Sequence, residues 1–360
     1  MLYDENMFQN LGGNIMVKSI TIQNRKIGLE YPPLVIAEIG INHNGSLEEA
    51  KKLVLAAASA GAEIIKHQTH IPNAEMSKEA KKAIPGNSPL SIWDIMERCA
   101  LSEQEEIELQ KFTEEQGLIF ISTPFSFEAA ERLIKMNVPA FKIGSGEMNN
   151  YDFVEFLASQ MKPIILSTGM NDLESVKKAV ERIEKYHKDY VIMHTTNLYP
   201  TKPKLIRLGA LEEIKKEFPD AIIGLSDHSL NNLACLGATA LGASVLERHF
   251  TDTKSRVGED IICSMDVQEC RDLILQSAEI QQMRGGKKEP AKEEKVTINF
   301  AFSTLVAAKE LQAGTVLTRE MFKTQRPGFK GILAADMDKV IGKTLSKSVS
   351  EGEHIEWSDF

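Results

Sequence analysis

Eight times between Leu34 and Thr251, a short apolar run rich in β-formers ends in polar or ionisable side chains and gives way to helical spacing. That recurrence predicts an α/β fold, a (β/α)8 (TIM) barrel, whose strand C-termini open onto one face where substrates bind. The runs are LVIAEIGI, EIIKHQTH, LIFISTPF, AFKIGSGE, PIILSTGM, YVIMHTTN, AIIGLSDH and SVLERHFT, and their ends present Glu38, Lys66, Thr123, Lys142, Ser167, Asn197, His228 and His249. Most open with continuous apolar residues, as parallel strands covered on both faces do. Helix starts are legible too. Ser46 with Glu49, Ser102 with Glu105, Asp152 with Glu155, Asn171 with Glu174, and Asp266 with Glu269 each place an N-cap three residues before a glutamate. After the first run, Ala50, Leu53, Val54, Ala57 and Ala58 form one apolar stripe that Gly61 terminates.

Residues 1–32 read as an N-terminal extension and lead-in, 33–283 as the barrel, 284–295 as a linker and 296–360 as a small second domain. The linker, RGGKKEPAKEEK, is charged, glycine-punctuated and almost free of large apolar residues. A domain as small as the last is marginal alone, so docking on the barrel, or on a partner's barrel, is expected. Between His70 and Ser102 lies a long insertion containing IPGNSPLSIW, placed as a lid over the active face. The opening MLYDENMFQN is acidic and has no apolar signal core, and no later stretch approaches membrane-spanning length. The expectation is a cytoplasmic protein without a membrane partner, with Met7 or Met16 as alternative initiators. Cys99, Cys235, Cys263 and Cys270 form no CxxC pair, which favours reduced thiols over disulfides or a zinc cluster. With 42 Lys and Arg against 51 Asp and Glu, the net charge of -9 argues against nucleic acid. An anionic substrate then requires local lysines or a metal to reverse the field.

Side chains two apart on a strand point the same way. Ser226 and His228 therefore share one face of the seventh run, and Glu247 and His249 one face of the eighth. Two histidines converge from neighbouring strands. Imidazole is a common ligand of divalent transition metals, and a pair of them leaves positions for water and substrate; hydrogen-bonded structural histidines are the plain alternative. His43, His67, His70 and His194 also lie near strand ends, as residues that orient a neighbour or fill a polar pocket, whereas His187 and His354 read as surface residues. Lys66 and Lys142 end the second and fourth runs. A lysine inside a barrel mouth needs an anion or a shifted pKa, and with Ser145, Ser167 and Ser226 the two predict a phosphate or carboxylate cradle. A Schiff-base lysine is the rival chemistry, and pairing with Glu38 or Glu147 the structural alternative. The glycines of KIGSGE permit close backbone approach to a ligand.

The segments EIGINHNGS, KHQTH, IPGN, STPF, KIGSGE, STGM, TTNLYP, GLSDH and LERHFTD, in that order and spacing, resemble the bacterial N-acetylneuraminate (sialic acid) synthases from about Pro33 onward. AAKELQAGTVL, KTQRPG, IGK and SEGEHI resemble the antifreeze-like (SAF, β-clip) domain attached to those enzymes. The resemblance implies a transferase that condenses phosphoenolpyruvate with an open-chain N-acetylhexosamine, N-acetylmannosamine in the sialic acid branch, and releases phosphate. It also implies a divalent metal, typically manganese with magnesium or cobalt as substitutes, and a domain-swapped homodimer. Carried over by motif, His228 and His249 hold the metal, while Lys66, Thr123, Lys142, Ser145, Ser167, Asn197 and Ser226 hold phosphoenolpyruvate. Glu38, Gln68, Tyr199, Glu247 and Asp260 face the sugar, and Arg326, in the RPG turn, reaches into the partner's barrel to the N-acetyl group. Glu38, Glu147 and Glu247 are the candidates to manage protons. Trp93 and Met148 stand where the family carries Tyr and Cys. Legionaminic and pseudaminic acid synthases share the barrel chemistry with a different sugar, and KHQTH and IPGN favour the sialic acid branch. A Schiff-base aldolase is the rival enzyme, and a binding protein carried by its antifreeze-like domain the rival class.

Overall fold

The computed structural model describes residues 18–86 and 88–360, in two compact units that part between Gly285 and Gly286. The alternative initiators Met7 and Met16 lie outside the described residues. The first unit begins with a hairpin of β1 (Ser19–Ile22) and β2 (Arg25–Gly28). Its Ile20, Ile22 and Ile27 join Leu34, Ile36, Ile64 and Ile119, from the starts of barrel strands, in one buried cluster. The hairpin thus plugs the end of the barrel opposite the substrate face, a role the sequence reading left unassigned.

Eight parallel strands then close in chain order: β3 (Leu34–Gly40), β4 (Ile64–Thr69), β5 (Ile119–Pro124), β6 (Phe141–Ile143), β7 (Ile164–Ser167), β8 (Tyr190–Thr195), β9 (Ile222–Asp227) and β10 (Val245–His249), with β10 pairing back onto β3. Register sets Glu38 beside Lys66 and Glu247 beside Ser226. Outward residues such as Val35, Ile65, Phe120 and Leu166 are fully or almost fully buried under the helical layer. That layer comprises α1 (Leu47–Ala60), α4 (Glu103–Glu115), α5 (Phe127–Lys135), α6 (Tyr151–Ala158), α7 (Leu173–Glu184), α9 (Gly209–Glu217), α10 (Leu233–Ala240) and α11 (Val267–Met283), with one turn, α8 (Pro203–Ile206), before α9.

Ser46, Ser102 and Asp266 cap their helices as expected, the last two with full capping boxes. Two caps fall elsewhere. Asn150 rather than Asp152 caps α6, accepting from the Phe153 amide, and Asp152 instead occupies the first turn, where a carboxylate suits the helix dipole. Asp172 rather than Asn171 caps α7, because the Asn171 amide is engaged with the carbonyls of Ser145 and Gly169 at the substrate face. The insertion is largely folded, as α2 (Pro72–Glu75), a 3-10 turn (Lys78–Lys82) and α3 (Ile92–Cys99). Trp93 is buried beneath Lys81, and Met148 is fully buried in the main core.

The second unit carries α12 (Lys295–Ala301) and an antiparallel pair, β11 (Thr304–Ala307) with β12 (Phe322–Gln325). Its own core gathers Leu305, Leu311, Leu317, Ile332, Val340 and Ile355. His354, expected at the surface, is half-buried there because its Nδ1 meets Thr304 Oγ1 at 2.8 Å. All four cysteines are free and buried. Among the described residues no helix is long and apolar enough to cross a membrane.

Candidate active site

At the C-terminal ends of the strands lies a cavity of about 240 Å³ lined by Glu38, Lys66, Gln68, Thr123, Lys142, Ser145, Glu147, Ser167, Asn197, Tyr199, Ser226, His228, Glu247 and His249. A wider mouth of about 710 Å³ shares Gln68, Asn197, Tyr199 and His249 and adds Asp260. The insertion contributes Pro85, Gly86, Ile92, Ile95 and Met96 to that mouth, which puts it over the active face. Arg326 belongs to the chain's second unit, where it is exposed just after β12. Trp93 and Met148 line neither cavity.

Two lysines and three carboxylates set the electrostatics. Lys66 contacts Glu38, donates to Thr123 Oγ1 at 3.1 Å and lies 3.7 Å from Glu247. Lys142 donates to Ser167 Oγ at 2.7 Å and stands 3.4 Å from the same Glu247 oxygen, which also accepts from Ser226 Oγ at 3.1 Å. Pairing with Glu38 thus does occur for Lys66, whereas Lys142 pairs with Glu247 rather than Glu147. Burial opposes the Glu247 charge, but Lys142 and Lys66 outweigh it and hold the carboxyl at about 2. Burial pushes Glu38 up to about 7 against the pull of Lys66. Burial also opposes the Lys66 charge, yet Glu247 and Glu38 hold that amine above its ordinary value, so the proton of the Glu38–Lys66 pair sits on the lysine. Lys142 falls below its ordinary value, chiefly through burial. Glu147 is raised to about 7, again by burial, and its Oε2 has no hydrogen-bond partner.

The backbone is shaped around these groups. A Cβ on Gly144 would strike the Glu147 carboxylate, and one on Gly169 would strike Asn197 Oδ1 and Ser145 Oγ. Gly40, at φ +33°, leaves room for Glu38 and Gln68. The sequence reading took Asn171 for a helix cap rather than a residue of this face and did not single out Thr195 or Met170, which also line the smaller cavity. The signal for Thr195 is the strand alternation that revealed Ser226.

His228 and His249 bring their ring centroids to 5.4 Å, with Tyr199 packed against both. His228 Nδ1–H donates to the Thr196 carbonyl at 2.9 Å, which leaves Nε2 as the lone-pair nitrogen. Burial, reinforced by the neighbouring imidazole, lowers His228 to about 4; burial, with Lys66 nearby, lowers His249 to about 3. Both rings are therefore neutral near pH 7. His249 Nδ1 is buried without a hydrogen-bond partner, 3.6 Å from Asp260. Among the described residues no group of three or more His, Cys, Asp or Glu side chains is placed to enclose a cation.

Fold and site together define a (β/α)8 barrel whose strand C-termini gather two ion-paired lysines beside a pair of neutral imidazoles. The NeuB family model matches residues 53–289 and the SAF domain model residues 303–360. N,N'-diacetyllegionaminic acid synthase of Legionella pneumophila is 33% identical over 350 residues, spanning 93% of this chain and 98% of that protein. Human N-acetylneuraminate-9-phosphate synthase is 30% identical over 337 residues, spanning 92% and 93%. Among solved structures, the N-acetylneuraminic acid (sialic acid) synthetase of Leptospira borgpetersenii, in complex with citrate, superposes with a TM-score of 0.72 at 29% identity, covering 78% of this chain and 95% of that one. The chain belongs to the NeuB family, as a sugar-acid synthase with a C-terminal SAF domain.

Proposed function

We propose that this enzyme condenses phosphoenolpyruvate with an open-chain N-acetylated hexosamine, N-acetylmannosamine in the first instance, releasing phosphate and forming N-acetylneuraminate. The carrying observation is an ammonium pair and an imidazole pair side by side in one buried cavity. Lys66, Lys142 and the hydroxyls of Thr123 and Ser167 suit the anionic enol ester, with Ser145, Asn197 and Ser226 completing the cradle. His228 and His249 suit a divalent cation, manganese first and magnesium or cobalt as substitutes. Both rings are neutral, one Nδ1 is fixed and the other is orphaned. With their ring centroids 5.4 Å apart, the two imidazoles are the residues that would hold such an ion. When bound, such a cation supplies Lewis-acid polarisation of the sugar aldehyde.

The lysines hold the enol ester in line with that aldehyde carbon. C3 of phosphoenolpyruvate attacks it, water adds at C2, and the tetrahedral adduct expels phosphate. Of the three candidates to manage the protons, Glu38 and Glu147, both raised to about 7, are suited to hold one near neutral pH, whereas Glu247, held at about 2, is suited to stay ionised against the lysines. Gln68, Tyr199 and Asp260 face the sugar from the wider mouth. In a domain-swapped homodimer the partner's Arg326 would complete the acetamido subsite, a docking supported by the exposed Phe300, Phe302 and Phe329 around that turn. The reading places the enzyme in the cytoplasm, where its four free thiols stay reduced. A second reading, a diacetamido sugar, is favoured by the apolar mouth of Ile41, Ile95, Met96 and Phe125.

The test is phosphate release by the full chain with manganese, phosphoenolpyruvate and a panel of N-acetylmannosamine, its 6-phosphate and diacetamido hexoses. Release with N-acetylmannosamine is expected, and a best rate with a diacetamido sugar selects the second reading. Borohydride trapping of pyruvate on Lys66 or Lys142 would replace both with a Schiff-base aldolase.

A further inference from the structure

An unbroken chain of polar contacts, whose outer links His70 and Glu75 are unused by the chemistry above, runs from the insertion to the ion-paired lysine. Glu75, the last residue of α2, holds His70 Nδ1 with both carboxylate oxygens, at 3.1 and 3.0 Å. His70 Nε2 lies 3.0 Å from Gln68 Oε1, and Gln68 Nε2 donates to Glu38 Oε1 at 3.1 Å. Glu38 then contacts Lys66. The side chains of His70 and Glu75 are 2% and 7% exposed, and the His70 ring stacks on Phe125 with centroids 4.3 Å apart.

The two ends of this chain dictate its polarity. Both are carboxylates, and an ionised carboxylate only accepts. Because Glu38 takes an N–H from Gln68, the amide must turn its carbonyl oxygen to His70, so Nε2 carries a proton. Glu75 likewise takes a proton from Nδ1. In this arrangement His70 donates from both ring nitrogens, one to each neighbour. A reversed Gln68 would set N–H against N–H at one end and oxygen against carboxylate at the other.

We propose that His70, clamped by Glu75, is a positioning residue that locks the Gln68 amide in the single orientation able to serve both Glu38 and the acceptor sugar. The inference rests on the reading in which Gln68 faces that sugar; Gln68 and His70 both line the wide mouth. Without the two donors of His70 nothing fixes the Gln68 carbonyl, and the amide is free to turn.

The experiment compares wild type, His70→Phe and His70→Gln as full chains with manganese, measuring KM for the sugar and for phosphoenolpyruvate. Phenylalanine keeps the stack but removes both donors, whereas glutamine keeps a donor in place of Nε2. The expected result is a rise of about tenfold in sugar KM for His70→Phe, with the phosphoenolpyruvate KM within about twofold and most of the loss restored in His70→Gln. An unchanged sugar KM in His70→Phe, or both KM values rising together, overturns the inference. Should His70→Phe fail to fold, Glu75→Ala, which removes the clamp, takes its place, and an unchanged sugar KM there overturns the inference. A wild type that releases no phosphate with any sugar defeats the functional reading, and the inference falls with it; an active wild type matched by His70→Phe defeats the inference alone.

Discussion

Glu106 shows what a single residue can hide in a sequence. Within EQEEIELQ it reads as one more solvated helix carboxylate, yet it is 0% exposed, accepting from Thr69 Oγ1 at 3.2 Å with Arg132 at 3.3 Å. Burial raises its carboxyl from 4.5 to about 8 despite Arg132. Between those values the folded chain holds a proton that the unfolded chain has released, so this contribution is full below about pH 4.5 and drains away as pH rises to about 8. Glu106→Gln should remove that slope. Urea unfolding at pH 5 and pH 8 should show the wild type losing a few kcal/mol relative to the variant, and parallel curves would refute the assignment. The strand-end residues behave differently. Lys66, Lys142, Ser226, His228, Glu247 and His249 were legible because alternation alone fixes which side chains point inward. The bond between Glu75 and His70 was not, since it forms only when α2 folds back on β4.

Elements were read best where a periodic signal ran unopposed and worst where a polar residue had two possible partners. All eight strands and the caps at Ser46, Ser102 and Asp266 follow local pattern. Asn171 had the spacing of a cap but is drawn to the Ser145 and Gly169 carbonyls, a tertiary choice that spacing cannot express. The β7–α7 turn consequently acts as a wall of the smaller cavity, with the Gly169 amide donating to Ser145 Oγ at 3.0 Å. Gly169→Ala should push Asn197 and Ser145 aside. A fall of about tenfold to a hundredfold in kcat/KM for phosphoenolpyruvate is expected, with a melting midpoint within a few degrees of wild type. Unchanged kinetics would mean that the turn does not shape the pocket.

For the whole molecule, the sequence indicated a barrel and a small appended domain, and each is present as a compact unit with its own core. What pattern could not supply is the residue from outside the barrel. Arg326 is exposed at the end of β12, and its proposed work lies in a second copy. Mixing the inactive variants Arg326→Ala and Lys142→Met should therefore restore activity, because one barrel of each mixed dimer has an intact pocket and the partner's Arg326. No recovery after subunit exchange would contradict the swap. The central claim concerns the imidazole pair beside the ammonium pair, and it is tested most directly by phosphate release from phosphoenolpyruvate with N-acetylmannosamine, before and after chelation. The account predicts that release requires the sugar, ceases when the cation is stripped, and returns on adding manganese to wild type but not to His228→Ala. Undiminished release after chelation would contradict it.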